Sequence, residues 1–375
     1  ADVVIAVIDT GCDYRHPDLR NAIKINDKEA PANGGIAGLD DDGNGYVDDV
    51  YGYNFVSSEA NQPFYGVSGR PDPMDDNDHG THCSGAIAAE ANNGIGVSGV
   101  APGAKLICIK IGSAGGSIST KDAFRGIRYA RSRGVQIMTN SWGGPGEYNS
   151  TLLNSEILEV EKAGILFVVA AGNDGENLDL KQDYPARLKY SGKKEGKYKN
   201  VLVVGASDNQ DNPANFSNYG IESVDVFAPG VMILSTVPNK EKDGGPEAGT
   251  YAVMSGTSMA TPYVAGVAAL LMSQNPSLRN QPEEVIRIIN QTADVKESLV
   301  GKSISNGRIN ANRALDQAVN LQGPAMTWVE QGHSLSQRGF TKELVDIRHE
   351  IKVAGAKMIK VHFNFVDIEE PFDSL

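Results

Sequence analysis

Five short runs of the chain are apolar almost without interruption: Val3–Ile8, Leu106–Ile111, Val135–Thr139, Leu166–Ala170 and Val201–Val204. A strand with one wet face alternates apolar and polar residues, so runs that do not alternate read as strands buried on both faces. Between them lie stretches with apolar residues at helical spacing, among them Lys121–Arg133 and Leu152–Lys162. Each is followed by a glycine, Gly134 and Gly164, that reads as the cap closing a helix. Repeated strand–helix–strand units predict an α/β fold, a mostly parallel sheet with helices on both faces and right-handed crossovers. Ligands of such sheets bind beyond the carboxyl ends of the strands, so chemistry is expected in the residues just after each run.

The pattern changes after about Asn320. A helical segment, Asn310–Val319, is punctuated by Gln322-Gly323-Pro324. The residues beyond it read as strands: Ile351–Val353, then Met358–Phe365 with alternating Ile359, Val361, Phe363 and Phe365. The reading is therefore one large α/β domain over 1–322 and a short antiparallel β segment over 323–375, too small to bury a core of its own.

Composition narrows the class. Of 375 residues 40% are hydrophobic and 22% charged, enough for a sizeable core and close to ordinary globular usage. No apolar run approaches the ~20 residues of a membrane-spanning helix. The net charge of −13 disfavours nucleic acid as a partner, because phosphate recognition needs a basic footprint. Acid is concentrated in Asp40-Asp41-Asp42 and Asp75-Asp76-Asn77-Asp78, which read equally as cation loops or solvated turns. Three cysteines make no disulfide framework, and Cys108, inside Leu106–Ile109, reads as a buried small hydrophobe. The chain starts at Ala1 on a strand, which reads as a processed or excised piece. Asn149-Ser150-Thr151, Asn215-Phe216-Ser217 and Asn290-Gln291-Thr292 are glycosylation sequons, meaningful in an exported eukaryotic chain.

Four segments at strand ends or helix starts carry chemistry. They are Ile8-Asp9-Thr10-Gly11, His79-Gly80-Thr81-His82-Cys83-Ser84-Gly85, Ala170-Ala171-Gly172-Asn173, and Gly256-Thr257-Ser258-Met259-Ala260-Thr261-Pro262. Taken singly, each has a plain structural reading as a turn, a packing segment or an N-cap. Taken together they supply complementary roles. A serine hydroxyl needs an imidazole to accept its proton, the imidazole needs a carboxylate, and the tetrahedral intermediate needs an amide donor facing its oxyanion. Asp9, His79, Ser258 and Asn173 are residues of those types. His79 and His82 alone, spaced HxxH, leave a metal-dependent hydrolase open, although no third ligand has suitable local spacing.

Over about Val3–Asn320 these motifs resemble the subtilisin-like serine proteases, whose Asp, His, Ser order along the chain is the same. The resemblance implies a subtilisin-like three-layer fold, an Asp9–His79–Ser258 triad and Asn173 as oxyanion donor. A histidine at position 79 separates the chain from the sedolisins, and the HGTHC form with Cys83 is similar to proteinase K-type members, in which that cysteine is a bystander. The resemblance also implies a peptide lying as an added strand between Asn140–Gly143 and Ile111–Ile118, with Gly115 and Gly116 in close approach. The first pocket is then walled by Ser141, Trp142 and Gly143 and by Ala170–Asn173, with Asp183, just before Tyr184-Pro185-Ala186, on its floor. Two Ca2+ sites are implied. One uses the loop Ala91-Asn92-Asn93-Gly94-Ile95-Gly96-Val97, with Ala91, Asn93, Ile95 and Val97 as ligands and Asp18 completing the shell. The other uses Asp40, Asp42, Asn44, Tyr46 and Asp49, where D-x-D-x-N-G matches the first half of a calcium loop without its terminal Glu.

The expected function is a calcium-stabilised serine endopeptidase acting on proteins or peptides, secreted or vesicular, with a cleaved inhibitory prodomain as a further partner. The second expectation is a catalytically silent subtilase fold used for binding or adhesion. Arg187–Lys199 reads as an inserted basic surface loop, and the tail resembles the first half of a CUB-like β-sandwich.

Overall fold

A computed structural model provides the structure of the chain and describes residues 3–57, 69–145, 151–181, 183–188, 198–239 and 250–320. The elements run in the order β1 (Val4–Asp9), β2 (Gly52–Asn54), α1 (His79–Ala88), β3 (Lys105–Lys110), α2 (Thr120–Ser132) and β4 (Ile137–Asn140). They continue with β5 (Gly144–Pro145), α3 (Thr151–Lys162), β6 (Leu166–Ala170), β7 (Asp183–Tyr184), β8 (Val201–Ser207) and β9 (Val226–Pro229). The last are β10 (Ile233–Val237), β11 (Thr250–Met254), α4 (Thr257–Gln274), α5 (Pro282–Thr292), β12 (Asp294–Val295), β13 (Gly307–Arg308) and α6 (Ala311–Asn320).

Among the described residues nine strands form one sheet in the order β12-β13-β9-β8-β6-β4-β1-β3-β2. Its central strands are all parallel, with Val7 opposite Cys108 on one side and Thr139 on the other. The five near-continuous apolar runs are its core, each within three residues of the predicted bounds. Their alternate residues feed two hydrophobic clusters, one on each face. Ile5, Val7, Val168 and Val204 join α1, α4, α5 and α6 on one side. Ala6, Ile8, Val169 and Val203 join α2 and α3 on the other. This is the α/β, three-layer arrangement expected from the sequence. Gly134 and Gly164 close their helices at φ of +65° and +70°.

Two small antiparallel pairs lie apart from the main sheet. β10 pairs with β11, and β5 pairs with β7 so that Gly144 faces Tyr184. The second pair carries Asp183 to the segment that follows β4.

One expectation is corrected. Cys108 does not stand alone in its strand but forms a disulfide with Cys12, their Cα atoms 5.7 Å apart. Ninety-six residues separate the two, and only the β1–β3 pairing brings them together. Among the described residues no helix is long and apolar enough to cross a membrane. The described elements lie in one compact unit within Ala1–Met326. The expected CUB-like segment at 323–375 lies outside the described residues, as do most of the basic insert and Asn149. Asn290 Nδ2 donates to Asp225 Oδ1 at 2.8 Å, whereas Asn215 is exposed.

Candidate active site

Three parallel strands deliver residues to the same end of the sheet. β1 ends on Asp9, β4 is followed by Ser141, and β6 is followed by Ala171-Gly172-Asn173. Asp9 is buried, and its Oδ1 lies 2.8 Å from His79 Nδ1, at the first residue of α1. Burial alone pulls the His79 pKa down, but the carboxylate of Asp9, helped by Asp75, outweighs it and holds the imidazole above its ordinary value. The approach of the two segments depends on Gly80, where a Cβ would stand 2.0 Å from the carbonyl oxygen of Gly11. Asp75 supplies the scaffold: it is buried and accepts from the Thr81 N–H (2.9 Å), the Thr81 hydroxyl (2.7 Å) and the Thr10 hydroxyl (2.9 Å). The Thr10 hydroxyl oxygen in turn accepts from the Gly80 N–H at 2.9 Å. The acidic run 75–78 is thus partly internal structure, which its composition did not reveal.

Ser258 is the second residue of α4, which packs against α1. Its hydroxyl donates to the Ser141 carbonyl at 3.0 Å, while the Ser141 hydroxyl donates to the Ser258 carbonyl at 2.9 Å. Cys83 lies fully buried beneath, its thiol donating to the same Ser258 carbonyl at 3.5 Å, and burial pushes its pKa well up. Its sulfur, a His79 nitrogen and an Asp9 oxygen lie within 4.8 Å of one another, which ties the start of α4 to the Asp9–His79 pair. His82 faces elsewhere: its Nε2 reaches the carbonyls of Ile233 (3.0 Å) and Ala252 (3.2 Å) on β10 and β11. The HxxH pair does not converge on one ion.

Asn173 is exposed beside these groups. Its Oδ1 accepts from the Thr257 N–H at 2.9 Å and the Thr257 hydroxyl at 3.0 Å, which leaves the amide NH2 available as a donor. Gly172, at φ +101°, has no room for a side chain, since a Cβ would meet Asn218 Nδ2 at 2.4 Å and Asp183 Oδ2 at 2.5 Å. A Cβ at Gly143 would lie 3.6 Å from Asp183 Oδ1. Asp183 therefore sits between the Ser141–Gly143 and Ala171–Asn173 segments. Burial, reinforced by Asp174, pushes its pKa up to about 6. Trp142 is buried behind this wall, while Gly115 and Gly116 are exposed on the loop closed by the Gly112–Ile118 bridge. Asn77 Nδ2 reaches the Ala114 carbonyl of that loop at 2.9 Å.

The subtilase family model matches residues 1–323. The chain belongs to the subtilase family. This subtilase is 37% identical over 311 residues to the "Thermophilic serine proteinase" of Bacillus sp. (strain AK1), which covers 83% of this chain and 61% of that one. It is 36% identical over 325 residues to "Subtilisin-like protease 1" of Plasmodium falciparum, 84% of this chain and 43% of that one. With "Subtilisin Savinase" of Lederbergia lenta it shares 39% over 249 residues, 66% of this chain and 81% of the other. The chain thus spans about half the length of the first two relatives. A solved protease structure from Pseudoalteromonas arctica superposes with a TM-score of 0.63 at 29% identity, covering 84% of this chain and 90% of that one.

Two further clusters suit a hard cation. Carboxylate oxygens of Glu29, Asp40 and Asp42 lie within 4.8 Å of one another. Glu29 was not among the expected ligands. It is buried and accepts from the Asp42 and Asp48 N–H groups at 2.9 and 3.0 Å, and its burial, with Asp49 and Asp42 nearby, raises its pKa. Thirteen residues separate it from Asp42, too far for a local motif to show it. Asn44 folds back on Asp40 and Asp42, and the Tyr46 N–H donates to Asn44 Oδ1 at 2.7 Å. Asp49 bridges the loop to the core: its Oδ2 accepts from Asn44 Nδ2 at 3.0 Å as well as from Arg133 at 2.6 Å and the Tyr129 hydroxyl at 2.7 Å. In the other cluster, buried Asp18 accepts from Asn93 Nδ2 (2.6 Å), the Val97 N–H (3.0 Å) and the Tyr251 hydroxyl (3.2 Å). Ala91 and Ile95 belong to the same loop, and the Ile95 N–H donates to Asn93 Oδ1.

Proposed function

We propose that this domain is a calcium-stabilised serine endopeptidase that hydrolyses peptide bonds through Asp9, His79 and Ser258 with Asn173 as the oxyanion donor. The observation that carries the reading is the 2.8 Å Asp9–His79 contact at the carboxyl end of β1, tied through Cys83 to the helix start that bears Ser258. The histidine takes the Ser258 proton once the hydroxyl leaves the Ser141 carbonyl, and Asp9 steadies the imidazolium that forms. The serine oxygen attacks the substrate carbonyl, and the NH2 of Asn173 meets the oxyanion. His79 then protonates the departing amine, and water completes hydrolysis by the reverse sequence. The peptide is held as an added strand between Ser141, Trp142 and Gly143 on one side and Gly115 and Gly116 on the other.

The floor of the first pocket bears on specificity. Asp183, between Gly143 and Gly172, favours Lys or Arg before the scissile bond, because an ionised carboxylate in a narrow pocket disfavours apolar side chains. The Glu29–Asp40–Asp42 group and the Asp18–Asn93 loop are the calcium sites of this reading. The three carboxylates of the first group fit Ca2+, which when bound would neutralise their crowding, while at the second the cation would take the place of the Asn93 Nδ2 donor on Asp18. Asn44 and Tyr46 complete the first group, and Asp49 serves as its anchor to Arg133. Secretion, and an inhibitory prodomain removed on maturation, complete the reading.

Ser258→Ala decides the function. Hydrolysis of peptide substrates should fall by about 10⁶-fold, a magnitude taken from subtilisin itself. Near-wild-type turnover in the purified variant would refute the assignment.

A further inference from the structure

One buried side chain holds both the loop that bears Asn173 and the pocket-floor residue Asp183. Asn218 lies between β8 and β9 and is 1% exposed. Its Oδ1 accepts from the N–H groups of Asp174 (3.1 Å) and Glu176 (2.8 Å). Its Nδ2 donates to the Ala171 carbonyl at 2.9 Å and to Asp183 Oδ2 at 3.3 Å. Two acceptor sites and two donor sites are the whole capacity of an amide, and all are used within the protein. The partners stand on both sides of Asn173, at 171 and at 174, and the Asn218 N–H adds a bond to the Gly172 carbonyl at 3.0 Å.

The platform beneath Asn218 is itself fixed. The Ser217 hydroxyl oxygen accepts from the Ala206 N–H of β8 at 2.9 Å, and the hydroxyl donates to the Asn218 carbonyl at 3.0 Å. Neighbouring backbone bonds, Gly175 to Phe216 (2.8 Å) and Tyr219 to Glu176 (3.0 Å), run the two segments side by side. A loop so held has little freedom to place Asn173 elsewhere. Preorganisation matters here because a donor displaced by about 1 Å loses much of its effect on a developing charge.

We propose that Asn218 is a positioning residue: it sets the Ala171–Glu176 loop so that the Asn173 amide meets the oxyanion, and it links that loop to Asp183. The proposal rests on the reading of Asn173 as the oxyanion donor. It places the action of Asn218 in turnover more than in binding, and it makes Asn218 and Asn173 energetically dependent on each other.

A double-mutant cycle tests it with a chromogenic peptide substrate. In the wild-type background Asn218→Ala should lower kcat by about 10- to 100-fold, less than complete removal of an oxyanion donor, with KM changed by about twofold. In an Asn173→Ala background the same substitution should lower kcat by less than about threefold. Thermal melting and circular dichroism show whether each variant is folded; if Asn218→Ala is not, Asn218→Ser, which keeps one polar partner for the loop, takes its place in the same cycle. An equal loss in both backgrounds, or a change in KM with kcat intact, would overturn the positioning role while leaving Asn173 in place. If Asn173→Ala alone leaves kcat unchanged, the oxyanion reading fails and the inference with it.

Discussion

The cleft and the acidic loop are built in opposite ways. Asp9 and His79 stand 70 residues apart, Asp183 and Asn218 another 35, and what unites them is the end of a parallel sheet with helices packed on both faces. Asp40, Asp42 and Asn44 are held by bonds that span two to five residues, with Glu29 and Asn26 reaching in from outside. The cleft inherits its geometry from the hydrophobic core, which loses nothing when a hydroxyl is removed. The acidic loop has like charges gathered on a few turns, and a cation bound there, as proposed, would relieve their repulsion. Chemistry should therefore be separable from stability in the first region and inseparable from the ion in the second.

The largest effect that sharpens this contrast is Ser258→Ala. Beyond the collapse of activity, its melting temperature should equal that of the wild type, since only one oxygen is lost from a partly exposed site. A drop of several degrees would mean that the cleft also carries stability. The same inactive protein, free of self-cleavage, suits the converse test. With calcium 100-fold above its dissociation constant, stability should rise by about 2.7 kcal/mol over the EGTA-treated protein. Glu29→Gln should remove part of that gain. Identical melting in EGTA and in millimolar calcium would contradict both calcium sites.

A smaller effect concerns Asp183, the carboxylate proposed for the floor of the first pocket. Above pH 6 Asp183 is mostly ionised, and kcat/KM for a peptide with Arg before the scissile bond should exceed that for the matched Phe peptide by about 10- to 100-fold. The preference should fade as pH drops through about 6, because the carboxyl then takes up a proton and loses its charge. Asp183→Gly should reverse it. If Phe or Leu is preferred and Asp183→Gly changes nothing, the carboxylate does not face the substrate.

How much was legible beforehand obeys the same division. The core strands announced themselves because burial on both faces removes every polar residue from Leu166–Ala170 and most of them from its neighbours. The motifs around Asp9, His79, Asn173 and Ser258 stood out because the chemistry proposed for them demands fixed residue types. The supporting partners were not. Asn218 lies in Phe216-Ser217-Asn218-Tyr219-Gly220, where an asparagine reads as a turn residue, and nothing local reveals that β8 presents it to the loop after β6. Glu29 and the Cys12–Cys108 pair likewise depend on contacts that only the folded sheet and loops create. Asp75 was visible as acid, but its burial against Thr81 and Thr10 was not.

The central claim is that Ser258 is a nucleophile activated by His79, and covalent labelling tests it most directly. A fluorophosphonate probe should form a single adduct, mapped by peptide mass spectrometry to Ser258. The labelling rate should rise with pH through the His79 pKa, which lies above the ordinary imidazole value because Asp9 favours the protonated ring. His79→Ala should slow the labelling greatly. An adduct on another residue, or Ser258 labelling that is unchanged in His79→Ala, would contradict the account.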